Sequence, residues 1–367
     1  GIPYATPPVG DLRFRPTVPI SYTQKKSINA TQFSLSCPQT PNLNVTATAI
    51  SEDCLYVNIY TPSVNKSANL SVMFWIFGGG FTTGSAVNFD GQQLAIRDVV
   101  IVTFNYRVAV FGFMCTDRPD APGNAGLWDQ VMAMNWTKQY IRHFGGNPND
   151  ITIFGESAGA ISVSAHVVSN VSNGTILTSS TGSQSSNTQI AKRFARFLGC
   201  DTNTDYIACL RTKSVEELMN AQNIDIVWNR GTIPAIPLVT QLYPFTVCYG
   251  DQYLPKNPYQ LLKQHNFRKD LHIMIGHNMI EGAIVGPLLP AVIPYWGQYD
   301  PRIPFTIIDK QLAEKDLLTI FDNQPYDKTL AQKYTQTFSN WYNISQTNDL
   351  RATVVQAIAD YLFACPT

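Results

Sequence analysis

Apolar residues gather in short, nearly continuous runs along the chain. Four of these runs lie at residues 70–77, 99–104, 151–154 and 271–275. An uninterrupted apolar run of about four to eight residues is typical of a β-strand that is covered on both faces. We therefore predict four buried strands at these positions.

Stripes of apolar residues at helical spacing separate the runs. One stripe extends from Leu127 to Ile141, and a second extends from Ile190 to Leu198 and stops at Gly199. Strands that alternate with helices predict an α/β fold in which a mostly parallel central sheet is flanked by helices.

The end of the chain has a different pattern, because it reads mostly as helix. Helical stripes cover residues 305–321, 326–342 and 349–364. One low-complexity stretch, residues 169–187, reads as a loop with a short strand at 175–177. Because no linker composition separates two halves, we expect a single domain over residues 1–367.

Composition and charge exclude several classes of function. Hydrophobic residues make up 44% of the chain and charged residues 14%, against about 25% charged in an average soluble domain. The 26 Lys and Arg residues balance the 26 Asp and Glu residues, so net charge gives no reason to expect binding to nucleic acid or to an anionic membrane. No apolar run approaches the roughly 18 residues of a membrane-spanning helix, and the sequence does not begin with a signal peptide. We expect no transmembrane segment.

Cysteines and glycosylation sequons favour a secreted or lumenal protein. Seven cysteines occur together with eight Asn-x-Ser/Thr sequons, a combination typical of an oxidising, glycosylating compartment. Sequons also arise by chance, and Asn135 lies inside a predicted helix, so we do not expect it to be modified. The seven expected glycosylation sites are Asn29, Asn44, Asn65, Asn69, Asn170, Asn173 and Asn343. An odd number of cysteines leaves one without a partner, and we expect this to be Cys365.

A Gly-x-Ser-x-Gly motif lies directly between a strand pattern and a helix pattern. Its members are Gly155, Ser157 and Gly159. Small residues are needed on both sides because the serine occupies a strained strand-to-helix turn that lifts its Oγ above the sheet edge. We predict that Ser157 is a nucleophile. The alternative is a packing turn that needs glycine only for space.

Three glycines follow the first apolar run. Without side chains, the backbone at Gly79 and Gly80 can approach a substrate and present N–H donors to a developing oxyanion. The amide of Ala158, the residue after the serine, is the third predicted donor. A phosphate-binding loop is the alternative, but no Gly-Lys-Ser/Thr or Gly-x-Gly-x-x-Gly pattern follows.

Five further segments form a recognisable set along the chain. They are GIPYATPPVGDLRF from residue 1, SEDCLYVNIY from 51, FNYRV from 104, GNAGLWDQ from 123 and FGESAG from 154. These segments resemble signatures of the type-B carboxylesterase and cholinesterase family. The resemblance runs from Gly1 to Thr367 and implies the α/β-hydrolase fold and hydrolysis of carboxylic esters through an acyl-enzyme.

The resemblance also implies structural pairs. Cys37 is expected to pair with Cys54, and Cys200 with Cys209. Each bridge would close a short loop and stabilise the fold by about 2 to 3 kcal/mol. Arg13 and Glu52 are expected to form an ion pair without a catalytic duty. Phe77 stands where the glycine loop of related esterases carries a histidine.

A serine hydroxyl needs a general base, and the base needs a carboxylate to orient it. The segment GHNMIEG at residues 276–282 is similar to the family's acid-bearing segment and places that acid at Glu281. An ordinary glutamate in a strand-end turn is the alternative. In this fold the histidine follows the acid along the chain, yet all five histidines precede Glu281: His143, His166, His265, His272 and His277. His166 lies about two turns along the predicted helix after Ser157, and we expect it to point away from the turn. The resemblance places the base beyond Thr367, so we expect this sequence to be incomplete at both ends.

The sequence favours a secreted serine esterase acting on small or medium apolar esters. The apolar residues 283–299 are either lining of its pocket or ordinary core filling, and the sequence does not separate these alternatives. No Trp lies between Cys37 and Cys54, where the cholinesterases place an aromatic platform for a quaternary ammonium, so choline esters are disfavoured. The alternative is a catalytically inactive relative with an adhesion, storage or structural role, and a lipase is a weaker third hypothesis. No pattern indicates a metal site or a cofactor, and the oligomeric state stays open.

Overall fold

The computed structural model describes residues 1–22, 27–40, 49–169, 182–222, 245–265, 271–276, 332–333 and 335–336. The chain forms two compact units. One comprises Gly1–Asn229 with Tyr243–Leu271, and the other comprises Arg230–Leu242 with His272–Thr367. The first unit contains every strand and long helix described below.

A mixed five-stranded sheet forms the core of the first unit. Its strands are β1 (Ile2–Pro3), β2 (Tyr56–Tyr60), β3 (Leu70–Ile76), β4 (Val100–Phe104) and β5 (Gly146–Gly155). They lie in the order β1-β2-β4-β3-β5. β1 pairs with β2 and β2 with β4 in antiparallel fashion, whereas β3 is parallel to both β4 and β5.

Three of the four predicted runs form strands, but of these three only β4 is buried along its whole length. Buried and half-buried or exposed residues alternate in β3, and residues 151–154 of β5 are half-buried or exposed. All five residues of β4 are buried, as the continuous apolar run predicts, and β3 buries Val72, Phe74 and Ile76. β5 is longer than predicted, because it begins at Gly146. The carboxyl ends of the parallel strands β3 and β5 lie side by side, with Ile76 opposite Gly155. This edge is therefore where the loops after both strands meet.

The predicted strand at residues 271–275 is wrong. Residues 271–276 have no regular secondary structure, and Met274 and Ile275 are exposed at 100% and 72%. An apolar run favours burial, but a strand also requires a neighbouring strand to satisfy its N–H and C=O groups. A run of apolar residues does not specify that neighbour.

Helices cover the sheet of the first unit. The α-helices are α1 (Gln92–Ala95), α2 (Ala109–Phe113), α3 (Ala125–Tyr140), α4 (Ala158–Val168), α5 (Gln184–Phe197), α6 (Tyr206–Thr212), α7 (Val215–Gln222) and α8 (Pro258–Lys263). Short 3₁₀-helices lie at Gly10–Leu12, Ala86–Asn88 and Ile141–Phe144. Two short parallel strands, β6 (Gly182–Ser183) and β7 (Cys248–Tyr249), form a second sheet.

The two helical stripes are also confirmed. α3 continues into a 3₁₀ turn at Ile141, and α5 ends shortly before Gly199, whose positive φ of +75° suits the end of a helix. Three helices are predicted in residues 305–364. Of this range the structure describes residues 332–333 and 335–336, and these residues are helical. The predicted strand at 175–177 lies outside the described residues. No described helix is both long and apolar enough to cross a bilayer.

The expected ion pair between Arg13 and Glu52 is confirmed. Two bonds of 2.6 Å join the guanidinium to the carboxylate, and both side chains are largely buried. The remaining nitrogen of Arg13 donates to carbonyl oxygens at the end of α6, including that of Lys213 at 2.6 Å. Arg13 therefore joins the N-terminal segment to the loop after α6. A second buried pair, Arg107 with Asp129, joins the residues after β4 to α3 through two bonds of 2.8 Å.

Three disulfides connect elements of the first unit. Cys37 is bonded to Cys54 and Cys200 to Cys209, the two pairs that the family resemblance implies. A third bond, between Cys115 and Cys248, joins residues 133 apart in sequence. Sequence spacing gave no indication of this pair, because its geometry depends on the tertiary fold. Cys365 lies outside the described residues.

Candidate active site

Ser157 occupies a sharp turn between β5 and α4. Its backbone angles, φ 53° and ψ −122°, lie outside the regions that side-chain-bearing residues ordinarily adopt. Such a conformation costs about 1 to 3 kcal/mol and persists only where the surrounding structure enforces it. Two hydrogen bonds enforce it here: Gly159 N–H donates to the Glu156 carbonyl at 2.8 Å, and Ile161 N–H donates to the Ser157 carbonyl at 2.9 Å.

The motif needs its glycines because the turn is packed against the end of β3. A Cβ atom built on Gly159 would lie 2.0 Å from the Ile76 carbonyl oxygen. A Cβ atom on Gly155 would lie 2.5 Å from the Gly159 carbonyl carbon. Neither position accepts a side chain without moving backbone. The packing therefore accounts for both glycines of the predicted motif.

The turn presents the serine outward and the start of the helix inward. Ser157 and Glu156 are exposed, whereas Ala158 is 1% exposed. Because the first amides of a helix have no partner within the helix, the start of α4 directs unpaired N–H groups and a partial positive charge towards the serine. The hydroxyl is thus accessible and lies at the start of α4.

The glycine-rich loop after β3 lies against this turn. A Cβ atom built on Gly78 would be 3.0 Å from the Ser157 Cβ and 2.5 Å from the Glu156 carbonyl oxygen. Gly79 and Gly80 have positive φ angles of +120° and +62°. Among the residues that the structure describes, the amides of Gly79, Gly80 and Ala158 have no acceptor. The structure therefore brings all three predicted donors to the edge of the sheet that carries Ser157.

Buried contacts on either side hold the glycine loop in place. The Gly79 carbonyl accepts from the amides of Thr82 and Thr83, both at 3.0 Å. On the side nearer β3, the Tyr106 hydroxyl donates to the Phe77 carbonyl at 2.6 Å, and the two rings stack with centroids 4.2 Å apart. Burial raises the pKa of Tyr106, so its hydroxyl keeps the proton that it donates. Through this ring stack, Phe77 stabilises the end of the glycine loop that is nearer β3.

His166 lies on the inner side of α4 and is 1% exposed. Its Nε2 is 2.7 Å from Gln130 Oε1, and its Nδ1 is 2.6 Å from the Tyr253 hydroxyl. Burial lowers the pKa of His166 to about 3, so the ring is neutral at physiological pH. Because both ring nitrogens are engaged in the interior, His166 is not placed to take a proton from Ser157. This agrees with the expectation that it points away from the turn.

Glu281 and His277 lie outside the described residues, so the candidate acid remains a prediction. The other three histidines are exposed. His143 precedes β5 and Ser157 follows it. The ends of β5 pair with Leu70 and Ile76 of β3, six residue steps apart, so about 20 Å separates the two ends. Among the residues that the structure describes, no group of His, Cys, Asp and Glu is arranged to hold a metal ion.

The exposed sequons include Asn29, Asn65 and Asn69. Asn135 is exposed on α3, but its threonine partner Thr137 is buried and donates to the Ala133 carbonyl at 2.8 Å. Four further predicted glycosylation sites lie outside the described residues: Asn44, Asn170, Asn173 and Asn343.

Sequence reasoning missed one set of residues behind the turn. Ala158, Ser162 and His166 follow one another at steps of four, which places them on one face of α4. That spacing was the available signal. It could not show that Gln130 from α3 and Tyr253 from the segment after β7 complete the contacts.

Comparison with known proteins shows the family of the chain. A sequence model described as the carboxylesterase family matches residues 1–367. Pyrethroid hydrolase Ces2e of Rattus norvegicus is 38% identical over 79% of this chain and 52% of its own length. Cholinesterase of Mus musculus is 38% identical over 77% of this chain and 49% of its own, and carboxylesterase 1D of Rattus norvegicus is 37% identical over 79% and 55%. The chain spans about half the length of the curated relatives it matches. It belongs to the carboxylesterase family and has the α/β-hydrolase fold of that family.

Proposed function

We propose that this chain supplies the nucleophile and the oxyanion donors of a serine carboxylic-ester hydrolase. The observation that carries the proposal is the position of Ser157, exposed on a strained turn and packed beside a triple-glycine loop. Family membership supports the same class of reaction. Neither a glycine-relieved packing turn nor a phosphate loop requires an exposed serine hydroxyl beside a glycine loop whose amides at Gly79 and Gly80 have no acceptor among the described residues.

In the proposed reaction, Ser157 Oγ attacks the carbonyl carbon of an ester and its proton passes to a histidine. The negative charge that forms on the substrate oxygen accepts hydrogen bonds from the amides of Gly79, Gly80 and Ala158. Loss of one such donor typically costs about 3 kcal/mol of transition-state stabilisation. The intermediate collapses as the histidine returns the proton to the leaving alcohol, and water then hydrolyses the acyl-enzyme by the same two steps.

Two further groups complete the proposed catalytic triad, namely an acid and a base. Glu281 would orient the histidine and stabilise its charged form, as the carboxylate of a catalytic triad does. Because none of the histidines in residues 1–367 follows Glu281, the base is proposed to lie outside these residues. The enzyme assayed must therefore be the full-length protein.

Small or medium apolar esters are the proposed substrates. The relatives named cholinesterase and carboxylesterase are 38% and 37% identical to this chain, so overall similarity does not favour either class. The segment between Cys37 and Cys54 supports the proposal, because it contains no Trp to hold a quaternary ammonium.

A secreted or lumenal location is also proposed. Three disulfides support it, since such bonds persist in oxidising compartments. Exposed sequons at Asn29, Asn65 and Asn69 support it further. Treatment of the native protein with peptide:N-glycosidase should lower its mass and convert modified asparagines to aspartates. An unchanged mass would contradict glycosylation.

The test of function is hydrolysis of p-nitrophenyl acetate, butyrate and octanoate, compared with butyrylthiocholine. We expect turnover of the acetate and butyrate esters, at least tenfold lower kcat/KM for the choline ester, and loss of activity in Ser157→Ala. The matched control is Ser164→Ala on the same helix, because the Ser164 hydroxyl makes no hydrogen bond within the described residues. Turnover that is equal in wild type and Ser157→Ala would overturn Ser157 as the nucleophile. A wild type without activity would favour the inactive-relative alternative, which the retained serine and glycine loop do not favour.

A further inference from the structure

A continuous line of buried hydrogen bonds runs behind the nucleophile turn. It begins at Tyr253, passes through His166, Gln130 and Ser162, and ends at the carbonyl of Ala158. All five residues are at most 1% exposed. We call this set the buried relay. Its members come from α3, α4 and the segment after β7, so it joins three parts of the first unit.

The direction of the relay follows from its last acceptor. A carbonyl oxygen can only accept, so the Ser162 hydroxyl donates to Ala158 at 2.9 Å. Ser162 Oγ therefore accepts from Gln130 Nε2 at 3.0 Å, which turns Gln130 Oε1 towards His166 at 2.7 Å. His166 Nε2 then carries the proton, and its Nδ1 accepts from the Tyr253 hydroxyl at 2.6 Å. Each hydrogen bond in this line then has a donor and an acceptor, with His166 as the neutral imidazole that its lowered pKa indicates.

The relay ends at the part of the helix that holds a proposed oxyanion donor. The Ala158 N–H shares a peptide plane with the Ser157 carbonyl, which accepts from Ile161 at 2.9 Å. The next peptide plane carries the Ala158 carbonyl, which the relay fixes through Ser162. Hydrogen bonds therefore fix two successive peptide planes at the start of α4, while Ser157 on the outer side of the turn remains exposed.

We propose that the buried relay is a positioning device for the Ala158 amide, with His166 and Gln130 acting through Ser162. The proposal rests on the proposed function, because it assigns the relay to the oxyanion donor of that same site. A hydrogen bond to an oxyanion depends on distance and alignment, so a loosened first turn weakens it in the transition state more than in substrate binding. The relay residues contact no substrate and are positioning residues.

The test uses the full-length protein with Ser162→Ala, which removes the last donor of the relay without adding volume. We expect kcat to fall about tenfold, with KM unchanged within about twofold, because one donor misaligned should cost less than the ~100-fold or greater loss of one removed. Inhibition by a trifluoromethyl ketone, which forms a tetrahedral oxyanion on the serine, should weaken by the same factor. Ser162→Thr, which keeps the hydroxyl, should recover most of kcat, and Ser164→Ala should match wild type.

Hydrogen–deuterium exchange separates this inference from the proposed function. Peptides covering residues 155–163 should exchange faster in Ser162→Ala than in wild type or Ser164→Ala. If wild type hydrolyses no ester, the proposed function fails, and exchange alone then decides whether the relay holds the turn. If wild type is active and Ser162→Ala keeps its kcat and inhibitor affinity, the positioning role is overturned. Unchanged exchange in Ser162→Ala would overturn it as well.

Discussion

The long disulfide between Cys115 and Cys248 gives a quantitative prediction. It joins the residues after α2 to β7, and Asn124 reinforces the connection. The Asn124 side chain donates to the Cys248 carbonyl at 2.8 Å and accepts from its amide at 3.0 Å. Both cysteines are fully buried, at 1% and 0% exposure. We therefore expect replacement of both cysteines by alanine to lower the free energy of unfolding substantially.

The magnitude follows from the length of chain that each bridge closes. For the 133-residue separation of Cys115 and Cys248, loss of loop-closure entropy in the unfolded chain contributes about 5 kcal/mol at 25 °C. For the nine-residue separation of Cys200 and Cys209, the same relation gives about 2.6 kcal/mol. The difference of about 2.4 kcal/mol is the prediction, since common errors in the relation cancel.

The assay is urea unfolding of the full-length protein under oxidising conditions, followed by Trp fluorescence. Three proteins are compared: wild type, the Cys115→Ala/Cys248→Ala variant and the Cys200→Ala/Cys209→Ala variant. We expect the long-bridge variant to be the less stable of the two by about 2.4 kcal/mol or somewhat more, because it also removes sulfur atoms from the core. Equal or smaller destabilisation of the long-bridge variant would refute the reasoning from loop entropy.

Three further predictions concern the turn, the ion pair and pH. Gly159→Ala should lower the free energy of unfolding by more than about 2 kcal/mol and reduce kcat at least tenfold, because its Cβ would meet the Ile76 carbonyl oxygen; unchanged urea unfolding and activity would contradict the packing argument. Arg13→Met should destabilise by about 3 to 5 kcal/mol, because Glu52 would keep a largely buried charge without a partner; thermal unfolding measures this loss, and kcat at a temperature where the variant is folded should stay at the wild-type value. Burial raises the pKa of Asp251 from 3.8 to about 6, so its contribution to stability is present below pH 3.8 and is lost as pH rises through 6. Relative to wild type, Asp251→Asn should therefore gain about 2 kcal/mol between pH 4 and pH 6.5 in urea unfolding, and a constant difference across that range would refute the assignment.

The nucleophile turn could be predicted from sequence because its determinants are local. Strand, glycine, serine, glycine and helix follow one another within about fifteen residues, and each has a steric reason at its position. The contact between Gly78 and Ser157, which brings the glycine loop beside the serine, joins residues that are far apart in sequence. It could still be inferred, because loops after parallel strands meet at one edge of a sheet.

Features that depend on distant partners could not be predicted. The apolar run at residues 271–275 indicated a strand, but burial requires a neighbour that the run does not specify. The pairing of Cys115 with Cys248 depends on where β7 lies, and spacing in sequence does not give that position. His166 was expected to point away from Ser157, and it does, yet the residues it contacts follow from the packing of α3 and not from α4 itself.

The central claim is that Ser157 is a nucleophile whose reaction is assisted by amides at the sheet edge. Its most direct measurement is the reaction of the full-length protein with an alkyl fluorophosphonate, followed by proteolysis and mass spectrometry of the serine-bearing peptides. The account predicts one adduct, located on Ser157, absent in Ser157→Ala and retained in Ser164→Ala. An active esterase that carries the adduct on another serine, or none at all, would contradict the account.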